Sequence, residues 1–257
     1  MTATFRAALA VVLMALLAAL APAAVAPAAS SSSSGWSWRT VYKDGFGGSK
    51  LHPAWARYDG PYGSGVQNYA RPDHFYLDGN GHLVLLMKYR RSGDDGAAWY
   101  TGGASLKGFE GRFQAITIRY RVDSDGVQSH RNIPMRWVHD DAYASYEGEE
   151  NYNEGSSLNS ATTFLHYADG KQLYREHKVD VTKWHRWRFA HRPDDTIVVF
   201  RDGKLVWKYR GNSTTLPHAL RRVVLQQEVS EKHMPRGTSG RERILIDYMK
   251  VQTSSRG

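Results

Sequence analysis

The chain has 257 residues, with 24 glycines, 15 tyrosines, 8 tryptophans and no cysteine, and its formal net charge is +9 at pH 7. The lack of cysteine excludes a disulfide scaffold and a cysteine-ligated zinc site. Stability must therefore come from apolar burial, which a chain of this length permits. A basic protein is attracted to anionic surfaces such as cell walls, acidic polysaccharides or nucleic acid. Because the lysines and arginines are scattered along the sequence, no nucleic-acid partner is expected, and the charge also fits a purely solubilising role.

The N-terminal segment has the composition of a secretory signal peptide. Arg6 precedes an apolar run of alanines and leucines, and small residues suited to cleavage follow. The run is shorter than the roughly 20 residues that a membrane-spanning helix needs. We expect a signal peptide over 1–29, a flexible serine-rich lead over 30–35 and a single domain over 36–253. The mature protein is expected to be extracellular, free of the membrane and monomeric.

The rest of the chain shows strand alternation and tight-turn signals rather than long amphipathic helices. Residues 75–77 and 82–87 flank Asp-Gly and Asn-Gly dipeptides, and residues 197–200 and 205–207 flank an Asp-Gly dipeptide, which predicts two β-hairpins. Other strand candidates are residues 112–120, 223–227 and 244–248. Short strands at this spacing predict an all-β sandwich.

The stretch that carries the chemistry reads Gly-Glu-Glu-Asn-Tyr-Asn-Glu-Gly, over residues 148–155. On a regular strand Glu149 and Asn151 share a face while Glu154 points away. One β-bulge residue would return Glu154 to that face, and bulges are common beside active sites. Two carboxylates on one face suit glycoside hydrolysis, and a separation of about 5–5.5 Å is typical of a retaining enzyme. Taken alone, the stretch also fits an acidic solvated loop.

The stretch resembles the active-site strand of glycoside hydrolase family 16, which carries Glu-x-Asp-x-x-Glu after a glycine. Other segments resemble that family in the same order along residues 36–252. They are Asp-Gly-Phe-Gly-Gly at 44–48, Val-Gln-Asn-Tyr at 66–69, Tyr-Thr-Gly-Gly at 100–103, Gly-Arg-Phe at 111–113, Pro-Met-Arg-Trp at 134–137, Phe-Leu-His-Tyr at 164–167, Trp-His-Arg-Trp at 184–187, Arg-Asp-Gly-Lys at 201–204 and Ile-Asp-Tyr-Met-Lys-Val at 246–251. The resemblance implies an all-β jelly-roll sandwich of two antiparallel sheets, the concanavalin A-like lectin/glucanase fold.

The resemblance also implies roles for the three residues of the expected row. Glu149 falls on the nucleophile and Glu154 on the general acid/base. Asn151 replaces the family's aspartate, and we expect its amide to donate a hydrogen bond to Glu149. Glu150 is a second departure, because the family has an apolar residue there, and its burial would be costly unless an arginine or lysine pairs with it. An alternative register pairs Glu150 with Glu154 on a strand without a bulge and puts Tyr152 in the aspartate position.

Further site residues follow from position in the resemblance. The candidates for sugar stacking and hydrogen bonding are Trp137, Trp99, Tyr100, His166, Gln227 and Glu228. Core packing is the alternative for the aromatic residues and His166, and ordinary sheet polarity for Gln227 and Glu228. No cofactor is expected to be required. Asp247 lies where some family members bind a structural Ca²⁺, with backbone carbonyls near Gly45, and hard oxygen ligands suit that ion.

The function expected from these features is a secreted, retaining endo-hydrolase of a β-linked polysaccharide. A β-1,3-glucan or mixed-linkage β-1,3/1,4-glucan is the leading substrate class, with galactans or acidic polysaccharides as others. A non-catalytic carbohydrate-binding domain on the same fold is the first alternative, motivated by Asn151 and Glu150. A polysaccharide lyase is the second, with Tyr152, Tyr167 or His166 as its base.

Overall fold

The computed structural model describes residues 35–61, 68–91, 98–138, 148–167, 170–229 and 240–254. The predicted signal peptide and all but the last residue of the serine-rich lead lie outside this described part. Within it, no helix is long and apolar enough to cross a bilayer. A single 3₁₀ turn over Pro72–His74 interrupts the strands of the described residues.

The strands are numbered in chain order. They are β1 (Trp38–Asp44), β2 (Trp55–Arg57), β3 (Gly60–Pro61), β4 (Asn68–Ala70), β5 (Phe75–Leu77), β6 (Leu83–Arg90), β7 (Ala98–Thr101), β8 (Gly103–Gly111), β9 (Gln114–Ser124), β10 (Ser129–Val138), β11 (Glu149–Gly155), β12 (Ser160–Tyr167), β13 (Lys171–Lys178), β14 (His185–Arg192), β15 (Thr196–Arg201), β16 (Lys204–Arg210), β17 (Arg221–Val229) and β18 (Arg241–Ser254).

The strands form two sheets, and the predicted jelly-roll sandwich is confirmed. The eleven-stranded sheet runs β16-β15-β14-β9-β18-β6-β7-β4-β3, with β1 added beside β18 and β5 beside β6. The seven-stranded sheet runs β13-β12-β11-β10-β17-β8-β2. The described pairings are antiparallel except that of β4 with β7. Both predicted hairpins are present, as β5–β6 and β15–β16.

The core lies between the sheets because alternate residues of each strand point inward. On β9, for example, Ile116 and Ile118 are fully buried. Aromatic rings link the two layers: Tyr152 of β11 stacks on Phe189 of β14 with ring centroids 4.7 Å apart, and Phe189 stacks on Trp187 at 5.7 Å. Such contacts add roughly 0.5–1.5 kcal/mol each beyond the area they bury.

A charged cluster is also buried in this core, centred on Glu150 of β11. Arg136 Nη1 donates to Glu150 Oε2 at 2.7 Å, His191 Nδ1 lies 2.8 Å from Oε1, and Arg221 Nη1 lies 3.3 Å from Oε1. The Tyr152 hydroxyl donates to Oε2 at 2.5 Å. The expectation that a buried Glu150 requires an arginine or lysine partner is therefore confirmed, and the partner is Arg136.

Arg136 has its own hydrogen-bonding capacity satisfied. Its Nε donates to Gln114 Oε1 at 3.0 Å, and its Nη2 donates to the carbonyls of Gly111 and Arg112 at 2.8 and 2.7 Å. Burial alone would raise the pKa of Glu150, but the charges of Arg136, His191 and Arg221 hold that pKa well below its usual value. The carboxylate is thus ionised inside the core, and the cost of its burial is offset by a complete set of partners.

Matched β-bulges set the faces of β10 and β11. Glu149 and Asn151 of β11 pair with His166 and Phe164 of β12, but Glu154 pairs with Thr162, so β11 holds one extra residue there. Strand β10 holds one extra residue relative to β17, between Asn132 and Met135. Because both strands gain a residue at the same level, their mutual register stays regular. The bulge that was postulated from the sequence is present.

Replacing Glu150 by glutamine should destabilise the fold by about 3–5 kcal/mol, because it leaves the buried Arg136 without a counter-charge. Glu176→Gln, at an exposed position of β13, is the matched control and should change stability by no more than about 0.5 kcal/mol. Urea unfolding followed by tryptophan fluorescence measures both. A Glu150→Gln protein as stable as the control would show that the cluster adds no stability.

The same pair of proteins should differ in its pH dependence. The pKa of Glu150 is lowered in the folded chain, so its contribution is fully present above the unfolded value and is lost as the pH falls through the folded pKa. The gap in unfolding free energy between wild type and Glu150→Gln should therefore narrow as the pH is lowered below the ordinary glutamate value of 4.5. A gap that widens on acidification would contradict the assigned ionisation.

Candidate active site

A cleft with a cavity volume of about 520 Å³ lies on the outer face of the seven-stranded sheet. Its residues come mainly from the central strands β10, β11, β12 and β17. They are Tyr58, His130, Asn132, Met135, Trp137, Glu149, Asn151, Glu154, His166, Arg222, Gln226 and Glu228. The cleft is therefore built on regular sheet, which holds side chains more precisely than loops do.

Strand β11 places Glu149, Asn151 and Glu154 together in this cleft. Tyr152 and Asn153, which follow one another, are both buried and neither lines the cleft. These two residues mark the bulge, which returns Glu154 to the face of Glu149. The row of three residues expected from the sequence is the arrangement observed.

The alternative register, with Glu150 as the nucleophile, is wrong. Glu150 is 3% exposed and its carboxylate is occupied by Arg136. Tyr152 is fully buried against Phe189, which also removes it as the base of a lyase. Both residues face the core because they alternate with Glu149 and Asn151 along the strand.

Asn151 lies at the centre of the polar contacts in the cleft. Its Nδ2 donates to Glu154 Oε2 at 2.7 Å and lies 3.4 Å from His166 Nε2. The sequence predicts that Asn151 donates to Glu149, and the lowering effect of an Asn151 hydrogen bond on the pKa of Glu149 agrees with this contact. The bond to Glu154 is an additional one. The second oxygen of Glu154, Oε1, lies 3.1 Å from His130 Nε2. Glu154 is thus held by Asn151 of its own strand and by His130 of the neighbouring strand β10.

The carboxylates of the cleft interact with one another. Burial raises the pKa of Glu149 and the negative charge of Glu154 raises it further, while a hydrogen bond from Asn151 and the charge of His166 act in the opposite direction. Burial also raises the pKa of Glu228, with contributions from Glu154 and Glu149. A group of interacting carboxylates releases its protons in steps that belong to the group, so the cleft keeps a proton to higher pH than isolated glutamates would.

Three of the six residues predicted to contact sugar lie in the cleft. Trp137 is on β10, His166 on β12 and Glu228 on β17. The His166 ring packs against Phe164 with centroids 5.9 Å apart, which leaves its Nε2 directed at Asn151. These placements agree with the expected positions, and the roles of the three residues in binding stay predictions.

The other three predicted contacts are corrected by the structure. Trp99 is 4% exposed and packs with Met87, Val127 and Val229, and Tyr100 is 1% exposed. Neither can offer a ring face to a sugar, because every residue of β7 is buried. Gln227 is fully buried, and its Nε2 donates to Glu242 Oε1 at 3.3 Å in the core.

Several cleft residues were not found by sequence reasoning. Gln226 lies beside Glu228 on the cleft face of β17, and the period of two along a strand is the signal that favours 226 over 227. His130 and Asn132 were hidden by the bulge in β10, because regular alternation back from Trp137 leads to the buried Ile133 instead. Pro134 is the sequence signal that points to this bulge, because a proline in the middle of a central strand is confined to bulges.

The Ca²⁺ expected at Asp247 stays a prediction. Asp247 Oδ2 accepts a hydrogen bond from Arg119 Nη1, while Oδ1 has no hydrogen-bond partner among the described residues. The Asp247 carbonyl oxygen lies 4.0 Å from the position that a Cβ on Gly45 would occupy, so the expected backbone neighbour is close. A cation at this carboxylate would share it with the Arg119 guanidinium, which makes the fit poor.

Another group of potential metal ligands among the described residues lies elsewhere. His191, Asp195 and His218 offer ligand atoms within 4.8 Å of one another. Some of their polar atoms have partners in the fold: His218 Nε2 lies 2.5 Å from Asp195 Oδ1, and His191 Nδ1 contacts Glu150. His191 Nε2 is buried and has no hydrogen-bond partner among the described residues. None of the three lines the cleft.

Comparisons with known proteins identify the fold. No protein-family model matches the sequence, and the curated proteins contain no match to it. Among solved structures, the laminarinase catalytic domain of Thermotoga maritima is 17% identical, with 84% of this chain and 98% of that chain covered at a TM-score of 0.66. The endo-β-1,3-glucanase of Pyrococcus furiosus is 16% identical, with 84% and 94% covered at 0.66. A mutant of SCLam, a non-specific endo-β-1,3(4)-glucanase from glycoside hydrolase family 16, is also 16% identical, with 84% and 94% covered at 0.70. The chain therefore has the jelly-roll fold seen in these glucanases.

Replacing Asn151 by alanine should raise the pKa of Glu149, because it removes a hydrogen bond that stabilises the ionised carboxylate. Carbon-detected NMR titration of labelled glutamate carboxyls measures this value, with Glu149→Gln identifying the resonance. Asn159→Ala, at an exposed position of the turn that follows β11, is the matched control and should leave the resonance unchanged. A Glu149 pKa that falls in Asn151→Ala would contradict the assigned hydrogen bond.

Proposed function

We propose that this protein is a secreted, retaining endo-glycoside hydrolase that cleaves a β-linked polysaccharide. The observation that carries the proposal is the bulged strand β11, which presents Glu149, Asn151 and Glu154 in one cleft while the neighbouring Glu150 is neutralised in the core. A solvated acidic loop would need neither the bulge nor the buried counter-charges. Two carboxylates on a rigid strand, open to a groove, are the requirement for double displacement.

In the proposed reaction Glu149 is the nucleophile. Its carboxylate attacks the anomeric carbon and forms a glycosyl ester, while Glu154 donates a proton to the departing glycosidic oxygen. Glu154, now ionised, then takes a proton from a water molecule. The resulting hydroxide attacks the anomeric carbon, breaks the ester and regenerates Glu149 as a carboxylate. Two inversions leave the configuration at the anomeric carbon unchanged.

The resemblance, rather than the electrostatics, is the basis for this division of roles, because burial and the charge of Glu154 raise the pKa of Glu149, the assigned nucleophile. The chemistry needs one ionised and one protonated carboxyl at the same pH. Since the charge of Glu154 raises the pKa of Glu149, the pair favours holding one proton over losing both. Substrate then decides which oxygen carries that proton, because the acid must face the glycosidic oxygen and the nucleophile the anomeric carbon. Asn151 contacts both groups and cannot ionise, so it adds no further charge.

A β-1,3-glucan or mixed-linkage β-glucan is the substrate class that we propose. The structural neighbours are named as laminarinases and endo-β-1,3(4)-glucanases, and the cleft combines the Trp137 ring with neutral hydrogen-bonding groups such as Asn132 and Gln226. An aromatic face suits the C–H groups of a sugar ring, and amides suit its hydroxyls. Secretion is proposed because the signal peptide predicted from the sequence would bring the protein to an extracellular polymer.

Release of reducing sugar from a panel of polymers tests the proposal. The purified protein should act on laminarin or barley β-glucan more rapidly than on agarose or carrageenan. Glu154→Gln should lower kcat by about 10²–10⁴-fold, as expected for loss of a general acid, and Glu149→Gln should lower it at least as much. Proton NMR of the first product should show the β-anomer, which is the mark of retention.

The exposed Glu176→Gln variant is the control and should keep wild-type activity, while thermal melting confirms that all variants are folded. Turnover that survives in Glu149→Gln would rule out the assigned nucleophile. A wild-type protein that binds one polymer without cleaving any would instead identify a carbohydrate-binding domain. Asn151, in place of an ionisable aspartate, would then be the first explanation to test for the lack of activity. New absorbance from a C=C bond in the products would identify a lyase.

A further inference from the structure

A second concave surface lies on the outer face of the eleven-stranded sheet, on the opposite side of the sandwich from the cleft. Its cavity volume is about 740 Å³. We call it the basic groove, because four arginines and one lysine line it. Its residues are Thr117, Arg119, Arg186, Arg188, Arg192, Phe200, Gly203, Tyr248, Lys250 and Gln252.

The register of the central strands gathers these cations from distant parts of the sequence. On adjacent strands, Arg119 of β9 lies directly opposite Arg186 of β14. In the next row, Lys250 of β18 pairs with Thr117 of β9, and Thr117 pairs with Arg188 of β14. Neighbouring strands are about 4.8 Å apart, so positive groups repeat closely across the sheet. Scattered charges in the sequence have become one charged surface in the fold.

Little negative charge balances the basic groove. Arg119 forms an ion pair with Asp247, whereas Arg188 Nη1 donates to the neutral Gln252 Oε1 at 2.8 Å. Within the described part of the chain, no carboxylate forms an ion pair with Arg186, Arg188, Arg192 or Lys250. This leaves four cations in one groove without a described anionic partner.

The cations of the basic groove lie close enough to repel one another. Burial lowers the pKa of Lys250, and the charges of Arg188, Lys43 and Arg186 lower it further. Burial and the charge of Arg192 lower the pKa of Arg188. Like charges directly opposite each other on neighbouring strands are destabilising, and Arg119 with Arg186 is such a pair. Among the described residues, Asp247 is the one carboxylate that pairs with a cation of the basic groove, so most of this repulsion remains for an external polyanion to relieve.

We propose that the basic groove binds an acidic polysaccharide, one that carries carboxylate or sulfate groups along its length. Arginine donates pairs of parallel hydrogen bonds to such groups. The rings of Phe200 and Tyr248 stand among the cations and offer apolar faces to sugar rings, and Thr117 and Gln252 supply neutral partners for hydroxyls. The groove therefore holds an anchoring site on the face opposite the catalytic cleft, independent of the proposed hydrolysis.

A binding titration with matched charge variants tests this proposal. The purified protein should bind polygalacturonate and dextran sulfate, and should not bind neutral dextran. The variant Arg186→Gln with Lys250→Gln should bind about tenfold more weakly or worse, because two charge-assisted contacts are lost. The variant Arg175→Gln with Lys178→Gln removes the same charge from exposed positions of β13 in the other sheet and should change affinity by no more than about twofold.

Equal losses in the two variants would overturn the proposal, since net charge rather than the groove would then explain binding. Tighter binding to single-stranded DNA or to phosphatidylglycerol vesicles than to either polyanionic polysaccharide would also overturn it. The groove variant should melt no lower than wild type, because neither substituted cation has a described carboxylate partner. It should also keep wild-type hydrolysis of laminarin, so that failure of the groove and failure of the catalytic proposal are read separately.

Discussion

The candidate site depends on the neutralisation of one buried carboxylate. Glu150 lies between Glu149 and Asn151 on β11, so any strand that presents those two residues to solvent must send Glu150 into the core. Arg136 meets it there as its direct partner in the β10–β11 ladder. His191 reaches the same carboxylate from the opposite sheet. The Glu150 carboxylate thus sets the register of β11 and links the two sheets, and a shift of β11 by a single residue would separate it from Arg136.

The two outer faces of the sandwich have opposite electrostatic character. The cleft gathers Glu149, Glu154 and Glu228, while the other face gathers arginines and a lysine. The apolar core lies between the acidic residues of one face and the basic residues of the other, so the charge of each face can change without neutralising the other. A single net charge of +9 conceals this division. An anionic polymer would be repelled from the cleft and attracted to the far face, whereas a neutral glucan would be indifferent to both fields and would respond to shape and hydrogen bonding.

The sequence was sufficient for those features that depend on local pattern. Alternation and turn dipeptides predicted the sandwich and its hairpins, and the spacing of Glu149 and Glu154 required a bulge that the structure contains. Features that depend on distant partners were not accessible. Whether Trp99 is covered depends on Val127 and Val229, which lie far along the chain. Gln227 and Glu228 are adjacent on β17 and face opposite ways, so only Glu228 lines the cleft. The basic groove forms only when β9 pairs with β14 and β18, so no single segment of the sequence predicts it.

The matched bulges of β10 and β11 have a consequence for how such a site can change. Each strand is one residue out of step with its outer neighbour, but the two remain in step with each other. The hydrogen-bonded pairing between β10 and β11 is therefore regular, although each strand shifts register against its other neighbour. Deleting the bulge residue from one strand alone would move the side chains beyond the deletion to the opposite face of the sheet. Deleting the bulge residue from the other strand as well would restore the pairing of β10 with β11, but Glu154 would still point into the core. The spacing of Glu149 and Glu154 on one face is thus a property of two strands, and transferring the motif to another sheet would require moving both.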